Sequence, residues 1–145
     1  MAKIRGIGVR VLQASEGQAP TAKLTVNGET AYITVYSRTP SEPSQDDAFV
    51  LAHELGHETA RRGKEEAQCY APFYESSVEM ERLGADLPLE TRRAIIVAEI
   101  RAWGYGWTDL TAVGCNDWHA FESRALRGIC GYVSGLQLTP DFLCP

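Results

Sequence analysis

Residues 53–57 read His-Glu-Leu-Gly-His, and no other stretch limits the chain as strongly. On a helix, the two histidines lie one turn apart on the same face. Two imidazoles placed that way can each give one nitrogen to a single Zn²⁺ ion. Glu54 then sits beside the metal, in reach of a proton on zinc-bound water. A fold for this sequence must therefore supply a helix through 53–57. It must also bury two imidazoles and a carboxylate without leaving them unpartnered, because each orphaned polar group would be costly.

The flanking residues predict that helix. The segment 37–44 contains two prolines and breaks structure ahead of it. Ser44 followed by Asp47 fits a capping box, which places the helix start near Gln45. Arg61 and Arg62 suit a last turn, and Gly63 just beyond suits a helix end. Phe49, His53, Gly56, His57 and Ala60 then share one apolar stripe, with Asp46, Arg61 and Arg62 free to face water. Glycine at 56 leaves space on the inward side.

Ahead of this helix the pattern is β. Residues 3–12 alternate, with Ile7, Val9 and Val11 on one side, and read as one strand. Residues 15–21 form a loop by composition. Residues 22–26 and 29–36 read as two strands joined by Asn27-Gly28, a dipeptide suited to a type I′ turn. That turn pairs Val26 with Glu29, Leu24 with Ala31 and Ala22 with Ile33, which puts the apolar residues on one face. Tyr32, Thr34 and Tyr36 take the other.

Behind the motif the pattern is helical. Residues 64–84 read as one helix or two short ones interrupted near Pro72. A clearer helix follows, capped by Asp86 with Pro88 in its first turn. It runs to about Trp103 and is ended by Gly104-Tyr105-Gly106. Leu89, Ile95, Ile96, Ala102 and Trp103 form its apolar face, and Glu99 falls within that face. A last helix begins around Asn116 or Asp117 and carries Trp118, Phe121, Ala125, Ile129 and Tyr132 on one stripe. With no repeat, low-complexity tract or linker, residues 1–145 read as a single α+β domain. The expected architecture is a short antiparallel sheet with a hairpin, followed by three to four helices.

A catalytic zinc site takes three protein ligands and keeps one position open. Glu99 is the choice for the third. A carboxylate on an apolar helical stripe needs a cationic partner, and a metal is one. The alternative is an ion pair to Arg92, Arg93 or Arg124. Glu79, on the polar stripe of its segment, is the next candidate ligand. His119, at the start of the last helix, is another. It also suits a supporting group, or a hydrogen-bond donor to the oxyanion of a reaction, as do Tyr105 and the tyrosines of 70–74.

Composition narrows the partners. The chain has 145 residues, 44% of them hydrophobic, enough for one core. A formal charge of −5 argues against a nucleic-acid surface. No apolar run is long enough to span a membrane. The N-terminus lacks the apolar block of a signal peptide, so a cytoplasmic location is expected. Cys69, Cys115, Cys130 and Cys144 show no C-x-x-C spacing and read as free thiols rather than a cysteine zinc site.

The stretch Val50-Leu51-Ala52-His53-Glu54-Leu55-Gly56-His57 resembles the active-site helix of zincin metallopeptidases. Its A-H-E-L-G-H form is similar in particular to the ImmA/IrrE-like peptidases of bacteria, their mobile elements and phages. In that family the third ligand is a glutamate on a later helix, often followed three residues on by alanine. Glu99-Ile100-Arg101-Ala102 matches that fragment. The resemblance implies a small helical zincin with a short β-sheet ahead of the motif helix. Its site would hold one Zn²⁺ per chain on His53, His57 and Glu99. Its reaction would be hydrolysis of a peptide or protein substrate, with Glu54 as general base on a zinc-bound water. Two other readings are open to the same residues. One is a non-catalytic zinc module closed by Cys69, Cys115 or His119. The other is a metal-free interaction domain.

Overall fold

In the computed structural model the described residues are 2–4, 6–28, 30–63 and 87–139. They form strands β1 (Ala2–Ile4), β2 (Ile7–Gln13), β3 (Thr21–Asn27) and β4 (Thr30–Ser37), then helices α1 (Gln45–Arg62), α2 (Leu89–Ala112) and α3 (Trp118–Gly135). The predicted helical segment 64–84, the proposed cap Asp86 and Glu79 lie outside the described residues. The α+β class is as expected. Among the described residues, no helix is long and apolar enough to cross a membrane.

The sheet has the order β1-β2-β4-β3. It differs from the expected one in three ways. The single strand expected over 3–12 is a hairpin of two. Gly6, with φ +80°, turns the chain between Ile4 and Ile7, a conformation open to glycine at no steric cost. The sheet is mixed rather than antiparallel, because β4 comes back from its hairpin to lie parallel to β2, Val9 opposite Ile33. The β3–β4 hairpin also closes one residue later on each strand than expected, which shifts the pairing register by two. Asn27 pairs with Thr30, Val26 with Ala31 and Leu24 with Ile33. Gly28 takes the left-handed position at φ +59°, and Asn27 remains in the strand. A slip of two keeps every side chain on its face. Leu24, Ile33 and Val35 therefore point inward as predicted, and Val11 alone of the β2 stripe is left exposed.

Helix α1 is the central element. Val50 and Leu55 pack on Ile7, Val9, Leu24, Ile33 and Val35 of the sheet. Phe49 and Ala52 pack on the opposite side, among Ile95, Ile96 and Trp103 of α2 and Phe121 and Ile129 of α3. A helix covered on both sides carries buried residues on most of its circumference, which explains how His53, Glu58 and Asp47 all leave solvent.

The predicted capping box starts α1. Ser44 accepts the Asp47 backbone N–H at 3.3 Å, and Asp47 Oδ2 accepts the Ser44 N–H at 2.7 Å. The same oxygen accepts the hydroxyl of Ser37 at 2.9 Å, which ties the helix start to the end of β4. Asp47→Ala is expected to cost about 2 kcal/mol in urea unfolding, since a cap is lost and buried donors are orphaned. A change below about 0.5 kcal/mol, the size of an ordinary surface substitution, would show that this anchor is unimportant.

Helix α2 corrects two boundaries. Pro88 precedes its first residue and offers no side-chain cap, and Leu89 is exposed rather than part of the apolar face. At the other end it passes through Gly104 and Gly106 and stops at Ala112, with Gly114 at φ +91° beyond. Gly106 serves packing, not termination. A Cβ there would stand 2.8 Å from the Ala52 carbonyl of α1. Gly56 of α1 lies tighter still against the backbone of Ala102. The pairs Gly56–Ala102 and Ala52–Gly106 set an antiparallel crossing in which two backbones nearly touch. Helix α3 starts as predicted, capped by Asp117, whose Oδ1 accepts the Ala120 N–H at 3.2 Å.

Candidate metal centre

The crossing of α1 and α2 brings three side chains to one point. His53 and His57 lie one turn apart on α1, and Glu99 lies one turn before Ala102 on α2. The two histidine Nε2 atoms are 3.2 Å apart. Glu99 Oε2 is 3.1 Å from His53 Nε2, and Oε1 is 3.3 Å from His57 Nε2. The residues are 7%, 4% and 1% exposed for His53, His57 and Glu99. Among the described residues this is the group able to hold a metal ion.

The donor triangle fits such an ion. Three donors on bonds of about 2.0–2.1 Å, at tetrahedral angles, stand roughly 3.3–3.4 Å from one another. The two histidine nitrogens, 3.2 Å apart, match that spacing, each has a different Glu99 oxygen at 3.1 or 3.3 Å, and one ligand atom from each residue lies within 4.8 Å of the other two. The charge balance fits as well. Burial by itself raises the Glu99 pKa, but His57 and His53 outweigh it and hold the carboxyl well below the usual range. Glu99 is therefore an anion whose local partners are imidazole nitrogens. The arginines that offered a different explanation are engaged elsewhere. Arg92 donates to the Leu136 carbonyl at 3.1 Å, Arg93 to Glu90 at 3.3 Å, and Arg124 to the Pro20 carbonyl at 3.0 Å.

Glu54 stands next to the triad and is fixed from the sheet. Its Oε2 accepts the backbone N–H of Leu24 in β3 at 2.8 Å. Burial pushes its pKa up, the charge of Glu99 adds to that, and His53 and His57 pull it down, with burial prevailing. A carboxylate with a raised pKa is a better proton acceptor than an exposed one.

The His53 ring is held by aromatic packing. It stacks on Trp103, centroids 4.2 Å apart and planes 25° from parallel, and meets the His57 ring edge-on at 4.6 Å. Its Nδ1 is buried without a hydrogen-bond partner among the described residues. The Trp103 face thus does the orienting that a second hydrogen bond usually does for a ligand histidine. Trp103 is fixed in turn by the Phe121 edge at 5.5 Å and by Gly128, where a Cβ would come within 3.2 Å of the indole.

Tyr132 of α3 also reaches the centre, and the sequence reading assigned it only to the core stripe. Burial first, then the charges of Glu99 and Glu54, push its pKa well above the ordinary tyrosine value. A phenol on an inward stripe needs a polar partner, and that requirement was the available signal.

The remaining predicted residues lie apart or cannot be placed. His119 is exposed in the first turn of α3, and Cys115 is half-buried near Leu110 outside the triad. Cys69, Glu79 and the tyrosines of 70–74 fall outside the described residues. No family model, curated protein or solved structure matches the chain.

Proposed function

We propose that the protein is a zinc-dependent peptide hydrolase in which His53, His57 and Glu99 hold one Zn²⁺ and Glu54 is the general base. One observation carries this reading. Two imidazoles and an ionised carboxylate converge at metal-ligand spacing, with a second carboxylate of raised pKa beside them. A two-histidine, one-carboxylate donor set suits zinc, and three protein donors leave one position for substrate or water. The reading of a closed, non-catalytic module needs a fourth donor. Among the described residues neither His119 nor Cys115 belongs to the group.

A zinc ion held by His53, His57 and Glu99 would supply Lewis acidity and would lower the pKa of a bound water toward neutrality. The chain's own residues do the rest. Glu54 takes a proton from the attacking water as its oxygen bonds to the peptide carbonyl carbon. As the carbon–nitrogen bond breaks, Glu54 returns that proton to the leaving amine. The Leu24 N–H keeps the carboxylate pointed at the reacting water instead of folded back along α1. Because the Leu24 amide points away from β4, the free edge of β3 passes directly beside Glu54. An extended peptide added to that edge brings its carbonyls past the base. We also propose kinship with the ImmA/IrrE-like peptidases of phages and mobile elements, on the strength of A-H-E-L-G-H and Glu99-Ile100-Arg101-Ala102.

The test is Glu54→Gln, assayed on a mixed peptide library by mass spectrometry. The amide keeps the shape and cannot accept the proton. Zinc content should stay near one per chain while cleavage falls by about 10²–10⁴-fold. Cleavage at the wild-type rate would rule out Glu54 as the base.

A further inference from the structure

We infer that α3, which supplies no ligand, governs the metal centre through Trp103: α3 clamps the indole, and the indole fixes the plane of the His53 imidazole. The inference rests on the zinc reading above and adds Trp103 and Gly128 to it as positioning residues.

The contacts run in sequence from α1 through α2 to α3. Glu99 and Trp103 lie one turn apart on α2. Glu99 therefore meets His53 at Nε2, 3.1 Å away, while the indole covers the face of the same ring, centroids 4.2 Å apart and planes 25° from parallel. Three residues of α3 close on the indole in turn. Phe121 meets it at 5.5 Å with planes 70° apart, and the Arg124 Cζ lies 6.0 Å from its centroid. A Cβ on Gly128 would stand 3.2 Å from its Cζ2. Positions 121, 124 and 128 share one helical face. Arg124 is itself tied down, donating to the Pro20 carbonyl at 3.0 Å and lying 3.5 Å from Asp46 Oδ1 in the first turn of α1. The indole is buried at 5% exposure, so it cannot swing away from these contacts.

The physical need is specific. An imidazole turns about its Cβ–Cγ bond with only a broad, roughly two-fold preference, so a ligand histidine requires a second restraint. The usual one is a hydrogen bond from the other ring nitrogen. His53 Nδ1 is buried and has no such partner among the described residues. The His57 ring meets His53 edge-on at 4.6 Å, whereas Trp103 lies along its face. The direction in which His53 Nε2 presents its lone pair is therefore set by where α3 holds the indole. Glycine at 128 makes that placement possible, since a methyl group there displaces the indole by a few tenths of an ångström.

Gly128→Ala tests this without touching the metal centre, and Gly131→Ala is its control, because a Cβ at 131 meets nothing within 4 Å. Both changes favour the helix, so neither should lower the melting temperature of the metal-free protein by much. Zinc competition against a chromophoric chelator should show the affinity of Gly128→Ala falling by about 10-fold, and that of Trp103→Phe by about 10- to 100-fold, as for loss of a supporting partner. With Co²⁺ in place of zinc, the visible bands of both should shift, since they report ligand geometry. Gly131→Ala should keep the wild-type affinity and spectrum. In a Trp103→Phe background, adding Gly128→Ala should change affinity less than about twofold, because the smaller ring leaves room for the methyl group. Wild-type affinity and cobalt spectrum in Gly128→Ala, or full additivity in the double variant, would overturn the inference while leaving the site intact. A wild-type protein that binds no metal would instead overturn the zinc reading itself. If the variants do not fold, proton NMR of the zinc-loaded wild type decides. Nuclear Overhauser contacts between the His53 imidazole and the Trp103 indole are expected, and their absence would overturn the inference.

Discussion

Gly56→Ala is expected to lower stability by about 3 kcal/mol or more, because a Cβ at that position runs into the backbone of Ala102. A backbone cannot rotate away as a side chain can, so α1 and α2 must move apart. On a domain of this size the loss corresponds to a fall in melting temperature on the order of 10 °C. The effect reaches the centre too, since the same crossing brings Glu99 to His53 and His57. Zinc affinity should therefore fall together with stability. Gly104→Ala supplies the opposite sign within the same helix. A Cβ there meets nothing within 4 Å, so alanine should stabilise by about 0.5–1 kcal/mol through its helix propensity. Circular dichroism melting of the two variants separates them. A Gly56→Ala protein that melts within about 2 °C of wild type would mean that the crossing is looser than the structure has it.

Glu99→Ala is expected to have the largest effect on metal binding. Loss of a group that merely supports a ligand costs about 10- to 100-fold in affinity, and loss of a ligand should exceed that. Two imidazoles remain, without the anion that balances the cation's charge. The Glu99→Ala protein should emerge from dialysis against zinc-free buffer with little metal, as should His53→Ala and His57→Ala. His119→Ala should retain a full complement, because His119 is exposed outside the triad. Elemental analysis of the four variants decides the matter. Wild-type zinc content in Glu99→Ala would remove it from the ligand set.

The helix at the heart of the site was legible because its signals are local. Ser44 and Asp47 mark its start three residues apart, and the spacing of His53, Gly56 and His57 fixes the inward face. Glu99 was legible for a related reason. A carboxylate among Ile95, Ala102 and Trp103 is out of place unless something cationic meets it. The errors share a different origin. Gly104 and Gly106 look like a helix end because glycine is a poor helix former, yet Gly106 is there so that the Ala52 backbone can approach. That reason lies on another helix 54 positions away. The hairpin register slipped by two because alternation specifies parity and not the exact partner. The parallel pairing of β2 with β4 follows from how non-adjacent strands assemble, which local pattern does not encode. Tyr132 was missed because in sequence a phenol on an inner stripe looks like any aromatic core residue. Its approach to the charges of Glu99 and Glu54 exists only once α3 is docked over α2.

The central claim is that His53, His57 and Glu99 jointly bind one zinc ion. Its most direct test is the anomalous X-ray scattering of zinc-loaded crystals, measured at the zinc absorption edge. The account predicts one peak per chain, about 2.0–2.2 Å from His53 Nε2, His57 Nε2 and a Glu99 oxygen. A map with no peak there, or with zinc on the two histidines and Glu99 turned away to another partner, would contradict it.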